Sequence, residues 1–272
     1  ARPDQIKTLR QTILDLAVKG KLVQQDPNDE PASELLKRIE EERTQKLKKM
    51  NVSPPHSTKP VEEQERDFLI PNFWKWVRLG EVIKLWNGFA FKSSDFTKQG
   101  VPVVRIADLQ NGVISLKNAM RVADNVAAQV KDEVWIPHDA LLIAMSGATT
   151  GKTALNKTGH FLLLNQRVAR IEPFLVNIHF LRLFFEAIVA RNLAISLGSA
   201  IPNLSTKQIN QTPLPLPPLA EQHRIVAKVD ELMALCDRLE TALATTDTKK
   251  QRLLEALLHE ALPNETDNSE VA

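Results

Sequence analysis

The stretch "PLPLPPLAEQHRIVAKVDELMALCDRLE", residues 213–240, predicts the longest element of the chain. Its prolines end at Pro218, and proline suits the extended entry to a helix and its first turn but not its interior. Apolar residues then recur at alternating spacings of four and three, the heptad pattern of a coiled-coil seam. At a rise of 1.5 Å per residue, we predict a helix of about 40 residues and roughly 60 Å. The apolar seam positions are Ile225, Val229, Leu232, Cys236, Leu239, Leu243, Leu253 and Leu257.

Two polar residues, Thr246 and Lys250, interrupt this seam and either fix its register or mark a local break. The helices predicted nearer the N-terminus are far shorter than the seam. An unburied seam would forfeit roughly 1.5–3 kcal/mol for each large apolar side chain that burial would stabilise. A separate partner helix is therefore expected, either from a second copy of the chain or from a missing part of a longer one.

The N-terminal region has the composition of helices, rich in Leu, Ala, Glu, Lys and Gln. Apolar residues at the same spacing predict a first helix over 6–20, with Gly20 as its stop. A second helix is predicted over 33–50, followed by a proline-bearing linker. The segments "QTILDLAVKGKL" (11–22) and "QRLLEALLHEAL" (251–262) also match each other. If this match is not accidental, the C-terminal part of a helical repeat unit occurs twice in the chain.

The middle of the chain differs in composition from both flanks. All four Trp and all ten Phe lie between Phe68 and Phe185, with eight of the nine glycines between Gly80 and Gly198. Short apolar runs between turn residues predict strands, and residues 177–197 have helical periodicity. We therefore predict an α+β fold, with one globular mixed domain flanked by long coiled-coil helices.

Charge is distributed unevenly along the chain. Residues 67–217 contain 16 basic and 10 acidic side chains, whereas residues 218–272 contain 6 and 11. A basic, aromatic-bearing domain favours an anionic partner, with nucleic acid the leading candidate, while an ordinary core with a solvated basic face is the alternative.

Several classes of protein are excluded by what the sequence lacks. The single cysteine, Cys236, excludes an intrachain disulfide and a cysteine-rich metal cluster. We identify no Ser/His/Asp or Cys/His arrangement, no zinc helix and no catalytic loop of an amino-methyltransferase. The sequence thus predicts no catalysis, no metal and no cofactor bound by this chain. Without a signal sequence or long apolar span, a cytoplasmic location is expected.

The segment "SGATTGKT" (146–153) resembles a phosphate-binding loop, which needs G-x-x-x-x-G-K-[ST]. Ser146 stands where the first glycine is required, so the pattern fails by one residue. A P-loop NTPase using Lys152 and Thr153 therefore remains only an alternative. We expect instead a turn from a strand into a loop, placed against DNA.

Polar and basic residues on predicted turns of the middle domain are our candidates for DNA contacts. Backbone N–H groups of a glycine loop can bind a DNA phosphate, while Gln and Arg carry the paired donors and acceptors that recognise adenine and guanine. The candidates are Lys92, Ser93, Arg105, Ser146, Gly147, Thr149, Gly151, Lys152, Gln166 and Arg167.

Taken together, the segments "LRQTILDLAVKGKLVQQDPNDEPASELLKRI", "IPNFWKWVRLGEV", "SGATTGKT…LNQRVARI" and above all "PLPPLAEQHRIV" resemble the specificity subunit of type I restriction-modification systems. The resemblance implies a non-catalytic subunit that recognises half of a split target in double-stranded DNA. It also implies that this subunit holds methyltransferase subunits, which bind S-adenosylmethionine. Through those subunits it would hold the restriction subunit. Family members normally have two recognition domains, so this chain corresponds to a half-length subunit that pairs with itself or to a fragment. A coiled-coil adaptor for proteins is the remaining alternative. The predicted regions are an N-terminal helical region (1–50), a linker (51–66), a target recognition domain (67–217), a spacer helix (218–262) and a disordered tail (263–272).

Overall fold

The computed structural model describes residues 3–50, 59–110, 112–147, 150–195 and 204–261. Helices and strands mix along the chain, which confirms the predicted α+β class. The helices are α1 (Pro3–Val18), α2 (Ala32–Lys49), α3 (Leu79–Val82), α4 (Asp124–Ala127), α5 (Ile178–Ile195), α6 (Thr206–Gln211) and α7 (Leu219–Ala261). Short 3-10 turns span Glu63–Glu65, Ser93–Asp95, Ile106–Asp108 and Asp132–Val134.

The strands of the described residues form three sheets. They are β1 (Lys75–Arg78), β2 (Ile83–Asn87), β3 (Phe96–Thr97), β4 (Val101–Val104), β5 (Leu109–Gln110), β6 (Gly112–Ile114), β7 (Met120–Val122), β8 (Trp135–Ile136), β9 (Leu141–Ala144), β10 (Thr153–Leu155), β11 (Leu162–Leu164), β12 (Val168–Pro173) and β13 (Pro213–Leu216). One sheet has the order β2-β12-β9-β10-β6-β5, the second has the order β3-β7-β4-β11-β8, and β1 pairs with β13. Most pairs are antiparallel, but β10 runs parallel to β6 and β11 parallel to β4.

The middle strands of the six-stranded sheet, β9 and β10, are buried on both faces. Along β9, Leu141 and Ile143 belong to the core shared with the helices, whereas Leu142 and Ala144 face the core between the two larger sheets. A strand covered on both sides has an uninterrupted apolar run instead of alternation, as "LLIA" shows. This sheet therefore connects the helical layer to the five-stranded sheet.

Local signals placed the helix ends well. The predicted helix 6–20 appears as α1, and Gly20, with φ +66°, follows it in the left-handed conformation. The N–H of Gly20 bonds the carbonyl of Ala17, and the N–H of Lys21 bonds that of Leu16. These two bonds form a Schellman cap. The tail helix, predicted at about 40 residues, spans 43.

The first turns of α7 connect three other parts of the chain. Glu221 is fully buried, where it accepts hydrogen bonds from the indole N–H of Trp74 (2.8 Å) and from the amide of Gln25. The buried side chain of Gln222 accepts a bond from the backbone N–H of Asn177, at the start of α5. We call these contacts, with the ion pair below, the α7 joint.

A second contact fixes the same turn of α7 to the loop between α1 and α2. Both terminal nitrogens of the Arg224 guanidinium group donate to the carboxylate of Asp29, at 3.1 and 2.6 Å. Hydrogen bonding to this carboxylate raises the pKa of Arg224. The segment "LAEQHRIV" is therefore a structural connection, which explains why its polar residues sit within an apolar run.

Packing within the chain corrects the expectation that the seam has no partner there. Ile225, Val229 and Cys236 are buried against the shared core, and Leu232 and Leu243 pack at its edge. Both α1 and α5 contact α7. By contrast, the distal seam residues Leu253 and Leu257 are 62% and 52% exposed, and Leu239 is 49% exposed. The predicted partner helix thus concerns the distal part of the seam only.

The second half of the predicted linker packs against the domain. Arg78 is buried and donates to the carbonyls of Lys59 and Pro60 and to both carboxylate oxygens of Glu65. Hydrogen bonds from Arg78 lower the pKa of Glu65 to about 2. The first half of the linker (51–58), the predicted disordered tail (263–272) and Thr149 lie outside the described residues.

Replacing Glu221 should separate the roles of its charge and its hydrogen bonds. Burial raises the pKa of Glu221 above its usual 4.5. The folded protein therefore retains a proton that the unfolded chain releases, and this contribution to stability is lost as pH rises from about 4.5 through the raised pKa. Glu221→Gln keeps an acceptor for Trp74 and should flatten this pH dependence. Glu221→Ala leaves the indole N–H unpaired and should cost about 1–3 kcal/mol.

The measurement is urea unfolding from pH 4 to 8, followed by tryptophan fluorescence. Glu231→Gln, an exposed position further along α7, is the control and should leave the pH dependence unchanged. An identical pH profile for Glu221→Gln and the parent chain would contradict a buried, raised-pKa carboxylate.

Candidate nucleic-acid interface

Loops from both larger sheets meet at one edge of the domain. Because β9 and β2 both run antiparallel to β12, their C-terminal ends lie beside the start of β12. The loop 165–167 leaves the end of β11 in the second sheet and enters β12 in the first. We call the surface formed by residues 87–92, 145–147, 150–152 and 165–167 the loop edge.

Backbone hydrogen bonds hold these loops together. The N–H of Met145 bonds the carbonyl of Arg167 at 2.9 Å, and the N–H of Gln166 bonds the carbonyl of Phe89 at 3.0 Å. The N–H of Leu204, which begins the next described segment, bonds the carbonyl of Met145 at 2.8 Å. Candidates that are far apart in sequence, around residues 92, 146–152 and 166–167, are thus brought to one surface.

Gly88 allows the closest approach within the loop edge. A Cβ at this position would lie 2.1 Å from the carbonyl oxygen of Asn165, so any side chain would collide with backbone. The next residue, Phe89, donates its N–H to the carbonyl of Leu164 and forms a bridge with Asn165. The loop is therefore fixed by main-chain contacts on both sides of Gly88.

The glycine segment 146–153 connects two strands of one hairpin. It leaves β9 and returns as β10, which pairs antiparallel with β9, and Thr153 is already the first residue of that strand. A phosphate-binding P-loop instead precedes a helix, whose N-terminal N–H groups face the phosphates. The hydroxyl of Thr153 is also buried. The structure thus confirms a strand-to-loop turn and does not support the NTPase alternative.

The described part of this hairpin loop has polar groups and unusual backbone angles. Gly147 and Gly151 have φ of +85° and +83°, and the hydroxyl of Thr150 donates to the carbonyl of Gly147. The hydroxyl of Ser146 is buried and has no protein partner among the described residues. Lys152, at the other end of the loop, is exposed. Predicted positions 146, 147, 151 and 152 therefore share one loop.

Arg105 is partly committed to contacts within the protein. Its Nε lies 3.6 Å from the carboxylate of Asp108, and one terminal nitrogen donates to the carbonyl of Asn118. Burial raises the pKa of Asp108, while Arg105 opposes that shift. The adjacent Ile106 lies 3.0 Å from where a Cβ on Gly147 would stand, which places this turn beside the loop edge.

The remaining candidates are exposed, and all but Ser93, which directly follows Lys92, belong to the loop edge. Lys92 and Ser93 follow Phe91, at the start of a 3-10 turn closed by Asp95. Gln166 and Arg167 are exposed between β11 and β12. One residue that the sequence analysis missed joins them: Phe89 is 45% exposed. No aromatic residue is among the predicted DNA contacts, although "WNGF" (86–89) contains the turn signal that places Phe89 on a loop.

Neither a metal site nor a membrane span is evident in the described ranges. Among those residues, no three His, Cys, Asp or Glu side chains are grouped to hold a metal ion. No described helix is both long enough and apolar enough to cross a bilayer.

These features define a domain that presents basic and amide side chains on rigid loops, and comparison with known proteins gives its class. Residues 71–246 match the type I restriction modification DNA specificity domain, and the chain belongs to this family. This confirms the family expected from the sequence. Because the match covers the middle domain and the start of α7, it disfavours an adaptor in which that domain binds protein.

Curated relatives are specificity subunits of about twice the length. The chain is 35% identical over 264 residues to the Type I restriction enzyme EcoAI specificity subunit of Escherichia coli, covering 94% of this chain and 45% of the relative. It is 27% identical over 281 residues to the EcoEI specificity subunit of Escherichia coli, with the same coverage. The chain thus spans about half the length of these relatives.

Two solved structures share the fold. A chain from a structure of a type I R-M system aligns with a TM-score of 0.59 and 21% identity, covering 95% of this chain and 57% of the other. The HsdS subunit from Thermoanaerobacter tengcongensis aligns with a TM-score of 0.55 and 22% identity, covering 95% and 56%.

The close contact at Gly88 gives a test of the loop edge. Gly88→Ala should lower the free energy of unfolding by roughly 3 kcal/mol, since its Cβ meets fixed backbone. Gly159→Ala is the matched control: nothing lies within 4 Å of its added Cβ, but φ is +76°. The control should lose only about 1–2 kcal/mol, the cost of a left-handed alanine. Equal losses in urea unfolding would show that residues 88 and 165 are not in close contact.

Proposed function

We propose that this chain recognises one half of a bipartite DNA target, as the specificity subunit of a type I restriction-modification complex, with no catalysis of its own. The observation that carries the proposal is the loop edge, where Lys92, Lys152, Gln166 and Arg167 are exposed together on loops fixed by backbone bonds. Basic side chains and glycine-loop N–H groups suit phosphates, while Gln166 and Arg167 suit base edges. A subunit that acts on cellular DNA would work in the cytoplasm.

We also propose that two copies pair through the seam of α7 from Leu239 onward, which we call the distal half of the helix. Its seam alternates, and an antiparallel pair that places Leu239 opposite Leu257 also places Leu243 opposite Leu253. In the same register, Thr246 of one copy faces Lys250 of the other near the two-fold axis. Thr246 and Lys250, the two polar positions of the seam, then lie opposite each other. No seam leucine faces a charged side chain. This pairing would set two loop edges apart and favour an inverted-repeat target.

The alternative partner for the distal half is a further part of a longer chain, and the internal repeat supports it. Leu253, Leu254, Leu257 and Leu258 occupy the repeat positions of Ile13, Leu14, Ala17 and Val18, all of which α1 buries. Lys250 likewise corresponds to Arg10, whose guanidinium pairs with Asp237 and Glu240 on α7. In this arrangement a second helical unit buries all four leucines, whereas the homodimer seam includes only Leu253 and Leu257 of these four.

Methyltransferase subunits are proposed to dock on the helices, with S-adenosylmethionine bound by those subunits and the restriction subunit recruited through them. Leu235, Leu254 and Leu258 lie on α7 outside the seam and are 40%, 58% and 51% exposed. Apolar side chains of this size on a long helix suit a helix of a partner protein.

The first test compares two lysines that flank β10 at opposite ends. Lys152→Ala should weaken binding of mixed-sequence duplex DNA and lower the slope of log K against log salt by about one unit. Lys157→Ala is the control, since Lys157 pairs with Asp139 at the far end of the strand, and its slope should stay unchanged. Fluorescence anisotropy across a salt series measures both.

In the same assay, Arg167→Ala should lose roughly 1–3 kcal/mol for certain sequences only. Unchanged binding in both the Lys152 and the Arg167 variant would remove the loop edge from the DNA site.

The second test uses light scattering. The parent chain should be a dimer, and Leu253→Lys with Leu257→Lys should be monomeric, because each substitution places a charge in the apolar seam. Leu254→Lys with Leu258→Lys, at neighbouring positions outside the seam, is the control and should remain dimeric. A monomeric parent chain would contradict self-pairing and favour a partner in a further part of a longer chain, whereas dissociation by both double variants would contradict the seam register proposed for the dimer.

A further inference from the structure

Phe89 is the large apolar side chain of the loop edge. Its ring is 45% exposed, although the domain has two cores that take up other phenylalanines. A single exposed apolar residue is common on protein surfaces and needs no explanation by itself. What distinguishes Phe89 is how firmly the surrounding structure holds it in that position.

Main-chain contacts fix the backbone that carries this ring. The N–H of Phe89 donates to Leu164 at 2.8 Å, and its carbonyl accepts from Gln166 at 3.0 Å. The preceding residue, Gly88, is packed directly against the backbone of Asn165. Just before it, the side chain of Asn87 accepts a hydrogen bond from the hydroxyl of Thr206, at 3.2 Å.

Other aromatic rings support Phe89 on its inner side. Its centroid lies 5.0 Å from that of Phe91 in an edge-to-face arrangement, and Phe91 lies 6.3 Å from Phe96. Phe91 and Phe96 are partly buried and pack against the core between the sheets. The row of rings therefore leads from the core to the surface, with Phe89 outermost.

The surroundings of Phe89 identify the kind of partner. Its backbone is bonded to that of Gln166, which is exposed and precedes the exposed Arg167, and Lys92 follows three residues after Phe89. Amide and guanidinium groups that recognise base edges thus flank an apolar ring. DNA bases offer matching surfaces in the thymine methyl group and in the faces of the bases.

We propose that Phe89 is a specificity-determining residue that lies directly against a base pair, next to the base pairs contacted by Gln166 and Arg167. This inference rests on the proposed function. It adds an apolar contact to a site otherwise built from charged and amide groups, and it assigns Gly88 and Phe91 the task of positioning the ring.

The experiment selects DNA from a random duplex library with the full chain and its Phe89→Ala variant. The parent chain should enrich a half-site. Phe89→Ala should lose preference, by about tenfold, at one or two adjacent base pairs while it retains preference elsewhere. Phe161→Ala is the matched control, because this residue is 56% exposed but precedes β11, at the opposite end of the strand from Asn165. Its enriched half-site should equal that of the parent.

Phe89→Leu keeps an apolar side chain over Phe91 and guards against misfolding of the alanine variant. It should show a smaller loss at the same base pairs, with a circular dichroism spectrum equal to that of the parent. If the parent enriches a half-site that both Phe89 variants enrich equally, the inference is wrong and the proposed function stands. If the parent enriches no sequence, the proposed function fails and the role of Phe89 fails with it.

Discussion

The α7 joint is the constraint on which the arrangement of this chain depends. A carboxylate without access to water is unfavourable unless hydrogen bonds compensate it, and Glu221 receives them from Trp74 and Gln25. Those two partners come from the entry to the domain and from the loop between α1 and α2. The direction in which α7 leaves the domain is therefore fixed by polar contacts at its first turns, which apolar packing alone would leave less specific.

The loop edge depends on a second constraint, the burial of the middle strands of one sheet on both faces. Since helices cover one face of the six-stranded sheet and the second sheet covers the other, the buried middle strands β9 and β10 can offer polar side chains to a partner only beyond their ends. The ends of β2, β9 and β11 meet at one such place. Gly88 permits two of these loops to touch, and the resulting bonds hold exposed side chains such as Gln166 in position without support from a partner.

Local rules allowed much of the fold to be predicted from the sequence. The heptad spacing and the prolines before it gave α7, and Gly20 gave the end of α1, because both depend on neighbours along the chain. Burial of the seam was mispredicted, since Ile225 and Val229 are covered by helices distant in sequence. The order of the strands, including the parallel pairing of β10 with β6, cannot be predicted from the spacing of apolar residues along the chain. The hydrogen bond from the backbone N–H of Arg105 to the carboxylate of Asp108 was not predicted. An acidic residue at the third position of a helical turn commonly accepts such a bond from the residue that precedes the turn.

The two halves of α7 have different surroundings, and this difference gives the helix its role. In its first half the helix packs against the shared core as far as Leu243, and Arg10 of α1 bonds both Asp237 and Glu240. Beyond that point Leu253 and Leu257 are exposed, and the helix continues for about 20 residues, roughly 30 Å. Because the joint fixes the direction of α7, whatever binds the distal half is held at a set distance and angle from the loop edge. Since that distance follows from the length of a helix, it is set by the number of residues in α7 and not by the loops of the loop edge. The side chains of the loop edge and the reach of the distal half are thus determined by separate parts of the chain, and each can change without the other.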